Sequence, residues 1–301
     1  MRLKFHTLDV FTTVRFAGNP LAVVLDADAL DTAAMQKITR EFNLSETVFV
    51  MASAKPAHTA KVRIFTPGGE VPFAGHPTVG TAALLAEIRS PETNGERDAL
   101  IVLEENIATV RVGVRKRPGA AAHAEFDAPK LPEPSAGVPP VDLLAATLGL
   151  IPSEIGLENH RPSAYSAGLP FVFVPVQTLA AMAKADIHMA HWGPAFGTTH
   201  AAFLYCRETV HATSSFHARM FAPNMGITED PATGSAAVAF AAVIARFDTP
   251  LDGSHKKIIE QGFEMGRPSY IEMSMLVRQG KLETVRIGGH AVRVSDGVIE
   301  V

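Results

Sequence analysis

Two stretches of this 301-residue chain combine residue types that could do chemistry. In the later one, Arg219-Met-Phe-Ala-Pro223 leads through Glu229 and Asp230 to Thr233-Gly234-Ser235, where an alanine-rich helix opens. In the earlier one, Arg63-Ile-Phe-Thr-Pro67 leads through Glu70 to Ala74-Gly75-His76-Pro77, and a helix of small residues follows from about Thr78. A helix start exposes unpaired N–H groups and the positive end of the helix dipole, so each stretch is a ready anion site. Each also has an ionisable neighbour. Two such cradles suggest one small acidic substrate held between two similar halves.

Glu46 is the first proton-transfer candidate. It lies in Leu44-Ser45-Glu46-Thr47-Val48-Phe49, between a helix end and a strand start. Apolar neighbours can raise a carboxyl pKa by desolvation, which suits an acid/base; the competing reading is a helix-terminal glutamate in a salt bridge. Asp230 precedes Pro231 and has its own competing reading, a turn or cap residue. His76, between Gly75 and Pro77, could donate to a substrate oxygen or shuttle a proton, or could cap its own helix. Gly75 and Gly234 permit close backbone approach. Ser235 could be a cap, a carboxylate-binding hydroxyl, or both. It is a weak nucleophile candidate, because no Gly-x-Ser-x-Gly elbow surrounds it. His188 and His191 could bind a metal if helical, but no third ligand has recognisable spacing. No Gly-x-Gly-x-x-Gly or Walker loop is present. Trp192 and the methionines read as packing residues.

The elements that must position these groups follow from pattern. Strands are expected over 5–10, 21–25, 47–51, 61–65, 99–103, 108–114 and 121–126, with a helix over 28–40 capped near Asp31-Thr32. Residues 90–98 read as a polar surface loop. The stretch 128–140 holds Pro129, Pro132, Pro134, Pro139 and Pro140 and reads as a linker. Beyond it, helices are expected near 141–148 and 179–185. Strands are expected at 171–176, 201–206, one or two within 210–221, and at 270–276, 284–287, 290–294 and 298–301. Ala17-Gly-Asn-Pro20 before Leu-Ala-Val-Val matches Ala167-Gly-Leu-Pro170 before Phe-Val-Phe-Val. With the two helix starts, that makes two motif pairs in the same order, offset by roughly 150 to 160 residues. An internal duplication explains this. The expected halves are 1–127 and 141–301, with a last strand at 292–301 that can pair with the first half. Both helices after the site stretches are small and apolar nearly all round, which marks them as buried inside curved sheets.

Composition bounds the remainder. Hydrophobic residues make up 47% and charged residues 19%, enough for a substantial core. The net charge of −4, with no long basic run, argues against a nucleic-acid surface. Cys206 is the sole cysteine, so no disulfide can form within one chain. No leader-like pattern opens the sequence, and no apolar run approaches the ~20 residues needed to span a bilayer. The expectation is a soluble cytoplasmic protein without a membrane partner.

Taken together, Gly18-Asn19-Pro20, Asn43-Leu-Ser-Glu46-Thr, Arg63-Ile-Phe-Thr-Pro67, Pro72-Phe-Ala-Gly-His-Pro77 and Glu229-Asp-Pro-Ala-Thr-Gly-Ser-Ala237 resemble the phenazine-biosynthesis PhzF-like family. The blocks occur in order and cover essentially the whole chain. The resemblance implies an α+β fold of the diaminopimelate epimerase type. Such a fold has two pseudo-repeated domains, each a curved, mostly antiparallel sheet around a central helix, with the site between them. It implies an isomerase without metal or organic cofactor and a homodimer. Catalysis would centre on Glu46, assisted by His76 and Asp230, with Asn19, Ser45, Gly75, Gly234 and Ser235 binding a small carboxylate. The family's isomerase acts on trans-2,3-dihydro-3-hydroxyanthranilate, its glutamate moving a proton from ring C3 to C1. Related epimerases use two cysteines, one before each helix-start glycine; here those places hold Ala74 and Thr233, which excludes a two-thiol racemase. One departure is the glycine-rich loop Gly68-Gly69-Glu70-Val71. The alternatives are an epimerase using Glu46 against His76 or Asp230, and a non-catalytic small-acid-binding protein.

Overall fold

The structure, a computed structural model, describes residues 1–90, 95–197 and 201–301. Strands dominate and helices are few, so the fold is mixed α+β. The first half runs β1 (Arg2–Val10), β2 (Asn19–Val24), α1 (Thr32–Phe42), β3 (Glu46–Met51), β4 (Ala60–Thr66), β5 (Gly69–Val71), α2 (Gly75–Arg89), β6 (Arg97–Glu104), β7 (Thr109–Lys116) and β8 (Ala122–Asp127). After β9 (Glu133–Pro134) come α3 (Val141–Leu148), β10 (Ser163–Ser166), β11 (Pro170–Pro175), α4 (Leu179–Lys184), α5 (Met189–Phe196) and β12 (Ala201–Cys206). The chain then continues through β13 (Phe216–Ala222), β14 (Ile227–Asp230), α6 (Gly234–Phe247), β15 (Gly253–Gln261), β16 (Ser269–Arg278) and β17 (Lys281–Glu300).

The duplication is visible in the strand pairing. In the first half, β1–β2 is antiparallel, β2–β3 parallel, β3–β4 antiparallel, β4–β6 parallel, and β6–β7 and β7–β8 antiparallel. The second half repeats that series through β10, β11, β12, β13, β15, β16 and the start of β17. Matching registers make Arg63 the counterpart of Arg219, His76 of Ser235, and Glu105 of Gln261. Glu46 has only Ala201 opposite it in the repeat. The symmetric scaffold therefore carries different polar side chains at matching positions.

β17 belongs to both halves. Its first part pairs with β16, Arg286–Ala291 pairs with β8, and Ala291–Glu300 runs along β1. This closes the ring β1-β2-β3-β4-β6-β7-β8-β17 around α2, which packs on its strands. Every residue of α2 from Gly75 to Ala86 is buried, as is most of α6. That is why both helices are apolar on all sides. Small side chains let the helices sit inside their sheets, and Phe240 of α6 fills the remaining space against Phe173, Phe203, Tyr205 and Phe216.

Several elements differ from the sequence-based expectation. The helix expected from Thr78 begins at Gly75, because a proline at its third position lies in the first turn, where no N–H is required. The three late strands are one, β17. The pair Gly288-Gly289, which falls between two of the expected strands, is a packing requirement: a Cβ on Gly289 would lie 2.5 Å from Phe11 Cδ1, and one on Gly288 2.9 Å from Glu125 Cβ. Strand β15 was not anticipated, since Gly253-Ser-His-Lys-Lys lacks an apolar run. Within 210–221 only β13 forms, starting at Phe216. The proline-rich stretch contains β9, which pairs with Tyr165–Ser166. Of the loop expected at 90–98, residues 91–94 lie outside the described residues, and β6 already begins at Arg97.

Candidate active site

The two helix starts meet. A Cβ on Gly75 would lie 2.7 Å from Gly234 Cα, and one on Gly234 would lie 2.9 Å from Gly75 Cα. Neither helix has a side-chain cap: the N-cap residues are Ala74 and Thr233, and neither makes the capping bond. The first-turn N–H groups of both helices thus converge, with half-buried Ser235 at the edge of the second. Two dipole ends brought this close favour a negative charge between them.

Glu46 reaches this point from the first residue of β3. The delivery is local: Asp31 caps α1 by accepting from Ala34 N at 2.7 Å, and Asn43 ends it in the left-handed region at φ 51°. The chain then turns through Ser45 into β3. Glu46 is 7% exposed, and its Oε2 lies 3.4 Å from His76 Nε2. Both atoms are buried without a protein hydrogen-bond partner. Burial pushes the His76 imidazole down to about 3, so it is neutral at pH 7. Neither bland reading of these two residues applies: among the described residues Glu46 has no cationic partner, and His76 does not cap α2.

Asn19 ties the groups together. Its Nδ2 lies 2.7 Å from Asp230 Oδ1, 2.9 Å from the Ala232 carbonyl and 3.1 Å from His76 Nδ1. An amide nitrogen donates only, so Nδ1 faces it as a lone pair, and this network assigns the ring proton to Nε2, toward Glu46. Asp230 is held on its other oxygen by the Thr233 hydroxyl at 2.6 Å, and nearby Ser45 also favours its ionised form. Burial raises Asp230 to about 6 even so. Burial, and then the charge of Asp230, raise Glu46 well above its usual value. Of the two carboxyls, Asp230 has close donors on both oxygens, whereas Glu46 Oε2 faces the His76 N–H at 3.4 Å without forming a hydrogen bond. A proton shared by the pair therefore resides on Glu46.

Two other acidic residues of the motifs have a different task. Arg63 makes a two-pronged bond to Glu70 (2.7 and 2.6 Å), and its counterpart Arg219 does the same with Glu229 (2.8 and 2.9 Å). These forked pairs brace the strand-to-helix turns in both halves. Gln261 locks the second turn further, donating to the Asp230 carbonyl at 2.7 Å and to the Thr233 hydroxyl at 3.1 Å. Its counterpart Glu105, also buried, accepts from the Thr78 hydroxyl at 2.7 Å. Sequence reading missed both. The available signal was that Glu104-Glu105 and Glu260-Gln261 each end the strand after the central helix of their half.

The glycine-rich loop also has a structural cause. A Cβ on Gly68 would lie 2.8 Å from the Met225 carbonyl oxygen, where the corresponding loop of the other half packs against it. Cys206 is fully buried on β12 and its thiol is pushed up to about 12, which leaves it inert. His188 precedes α5 and His191 lies within it; among the described residues no group of three or more potential metal ligands gathers. Trp192 packs on Phe196 at 4.4 Å. One surface cavity of about 400 Å³ is lined by Arg115, His123, Lys256 and Glu272, and Glu46 is not among its lining residues. No helix among the described residues is long and apolar enough to cross a membrane.

Residues 8–297 match the family model described as phenazine biosynthesis-like protein. The chain belongs to the phenazine biosynthesis-like (PhzF) family. An uncharacterized isomerase of Mesorhizobium japonicum is 52% identical over 297 residues, covering 96% of each chain. The trans-2,3-dihydro-3-hydroxyanthranilate isomerase of Pseudomonas chlororaphis is 36% identical, covering 97% of each. Among solved structures, a PhzF-family protein of Bacillus anthracis superposes over the full length of both chains with a TM-score of 0.87 at 25% identity. The fold is therefore that of the PhzF family, and the chain is a PhzF-family isomerase.

Proposed function

We propose that this isomerase moves a proton on a small carboxylate-bearing substrate, with Glu46 as proton carrier. The observation that supports this most directly is the buried, uncompensated Glu46 carboxyl facing the Nε2 of a neutral His76, beside two abutting helix starts. The substrate carboxylate would rest on the first-turn N–H groups near Gly75 and Gly234, with Ser235 adding its hydroxyl. A raised pKa makes ionised Glu46 a stronger base than an exposed carboxylate, as abstraction from carbon requires. Asp230 and Asn19 fix His76 as a neutral donor, able to bond an oxygen that gains charge during the reaction.

The substrate class we favour is dihydro-hydroxyanthranilate-like, on the strength of the Pseudomonas relative's name. Ionised Glu46 takes the C3 proton, the C–H electron pair enters the ring π system, and the proton is returned at C1. The resulting C3 enol becomes a ketone. An epimerase would need a second base opposite Glu46. Asp230 is engaged on both oxygens and His76 faces Glu46 with its N–H, so the arrangement favours a single carrier.

The test is turnover of trans-2,3-dihydro-3-hydroxyanthranilate in deuterated water, followed by NMR. Wild type converts it, and Glu46→Gln loses about 10²–10⁴-fold in rate while remaining folded. A folded Glu46→Gln enzyme with near-normal turnover sinks the proposal. Deuterium uptake without change of constitution points instead to epimerisation.

A further inference from the structure

The two halves differ in one hairpin. Two residues, 106–107, separate Glu105 from Ala108 after β6, whereas seven, 262–268, separate Gln261 from Ser269 after β15. The longer hairpin reaches across to the other half. Arg267 donates from Nε to the Gly18 carbonyl at 2.8 Å and from Nη2 to the Ala17 carbonyl at 2.9 Å and the Asp9 carboxylate. Gly18 N donates to the Pro268 carbonyl at 3.1 Å, and Tyr270 N to the Phe11 carbonyl at 2.8 Å. Asp9, 3% exposed, accepts from Phe16 N at 2.6 Å. Both ends of the 11–18 loop are therefore fastened to this one hairpin.

That loop needs fastening. Phe11 and Phe16 adopt positive φ of 63° and 68°, conformations that cost energy for non-glycine residues and persist only where surroundings impose them. The next residue after it is Asn19. In the other half, the short hairpin places the apolar Ile107 Cδ1 3.4 Å from a Cβ built on Gly168.

We infer that Arg267 is a positioning residue: from the second half it fixes the strained loop of the first, and so aims the Asn19 amide at His76 and Asp230. The inference rests on the proposed function for its kinetic consequence, but not for its structural one. The experiment combines Arg267→Ala, Arg267→Lys and Asn19→Ala with two readouts, turnover of trans-2,3-dihydro-3-hydroxyanthranilate and a carbon-13 NMR titration of the Glu46 and Asp230 carboxyls. Arg267→Ala should lower kcat by about 10²-fold, the scale of a small misplacement of catalytic groups, with KM little changed. Arg267→Lys should recover part of this. The Arg267→Ala/Asn19→Ala double variant should lose no more than the worse single variant, because both act through one amide. In the titration, removing or misaiming the Asn19 donor should raise Asp230 and lower Glu46 in Asn19→Ala and in Arg267→Ala alike. Additive kinetic losses overturn the inference, as does an Arg267→Ala titration identical to wild type when only thermal stability has fallen. If wild type does not turn over this substrate, the proposed function fails, and the titration still decides the role of Arg267.

Discussion

Glu105→Gln should make the protein more stable at neutral pH and leave it unchanged in acid. Glu105 is buried beside the first turns of α2, one oxygen bonded to the Thr78 hydroxyl and the other without a protein partner. Burial raises its carboxyl from 4.5 to about 8. In the folded protein it is therefore protonated at pH 7, whereas in the unfolded chain it is ionised. Its contribution to stability is fully present below pH 4.5 and is lost as pH rises toward 8. At pH 7 the loss is about 1.4 kcal/mol for each of the 2.5 pH steps above 4.5, or about 3 kcal/mol. Glutamine has the same shape, keeps the acceptor for Thr78, and never ionises. Urea unfolding at pH 5 and pH 7.5 should show the variant more stable than wild type by less than about 1 kcal/mol at the first and by about 4 kcal/mol at the second. A difference independent of pH would refute the reasoning, because it would mean that Glu105 is not a buried neutral acid.

Asp230→Asn should move the acidic limb of the kcat/KM profile to lower pH. Glu46 must be ionised to accept a proton, and removing the Asp230 charge lowers its pKa; a limb that stays in place or moves upward would exclude the coupling. Gly234→Ala should destabilise by about 1–3 kcal/mol or more, with a disproportionate loss of activity, because the new methyl meets the Gly75 backbone. Denaturant melts and turnover measured together check this.

The site was legible where chemistry and backbone need coincide. Gly75 and Gly234 announce helix starts, and the structure adds that each is required by the other. The central helices were readable because a helix inside a sheet must be apolar on every side. What escaped detection depends on long-range contacts. Strand β15 alternates half-exposed polar residues, so no apolar run marks it. Arg267 sits in a connecting loop, and only tertiary structure shows that its guanidinium lands on the two residues before Asn19. Glu70 and Glu229 had the right chemistry for a site, but each is neutralised by an arginine on the neighbouring strand. The local sequence does not distinguish a bracing carboxylate from a reactive one.

The path of β17 has a consequence for how the protein is made. The ring around α2 consists of strands from the first 127 residues plus one from residues 281–300. A ribosome delivering the chain from the N-terminus releases the closing strand after every other strand of the ring. Until then β1 and β8 present open edges, the type of surface that invites wrong pairing. The first half cannot finish folding as a separate unit during synthesis, and its fate is tied to completion of the second. Correct pairing in the first half therefore depends on residues 281–300, far from Glu46 in sequence.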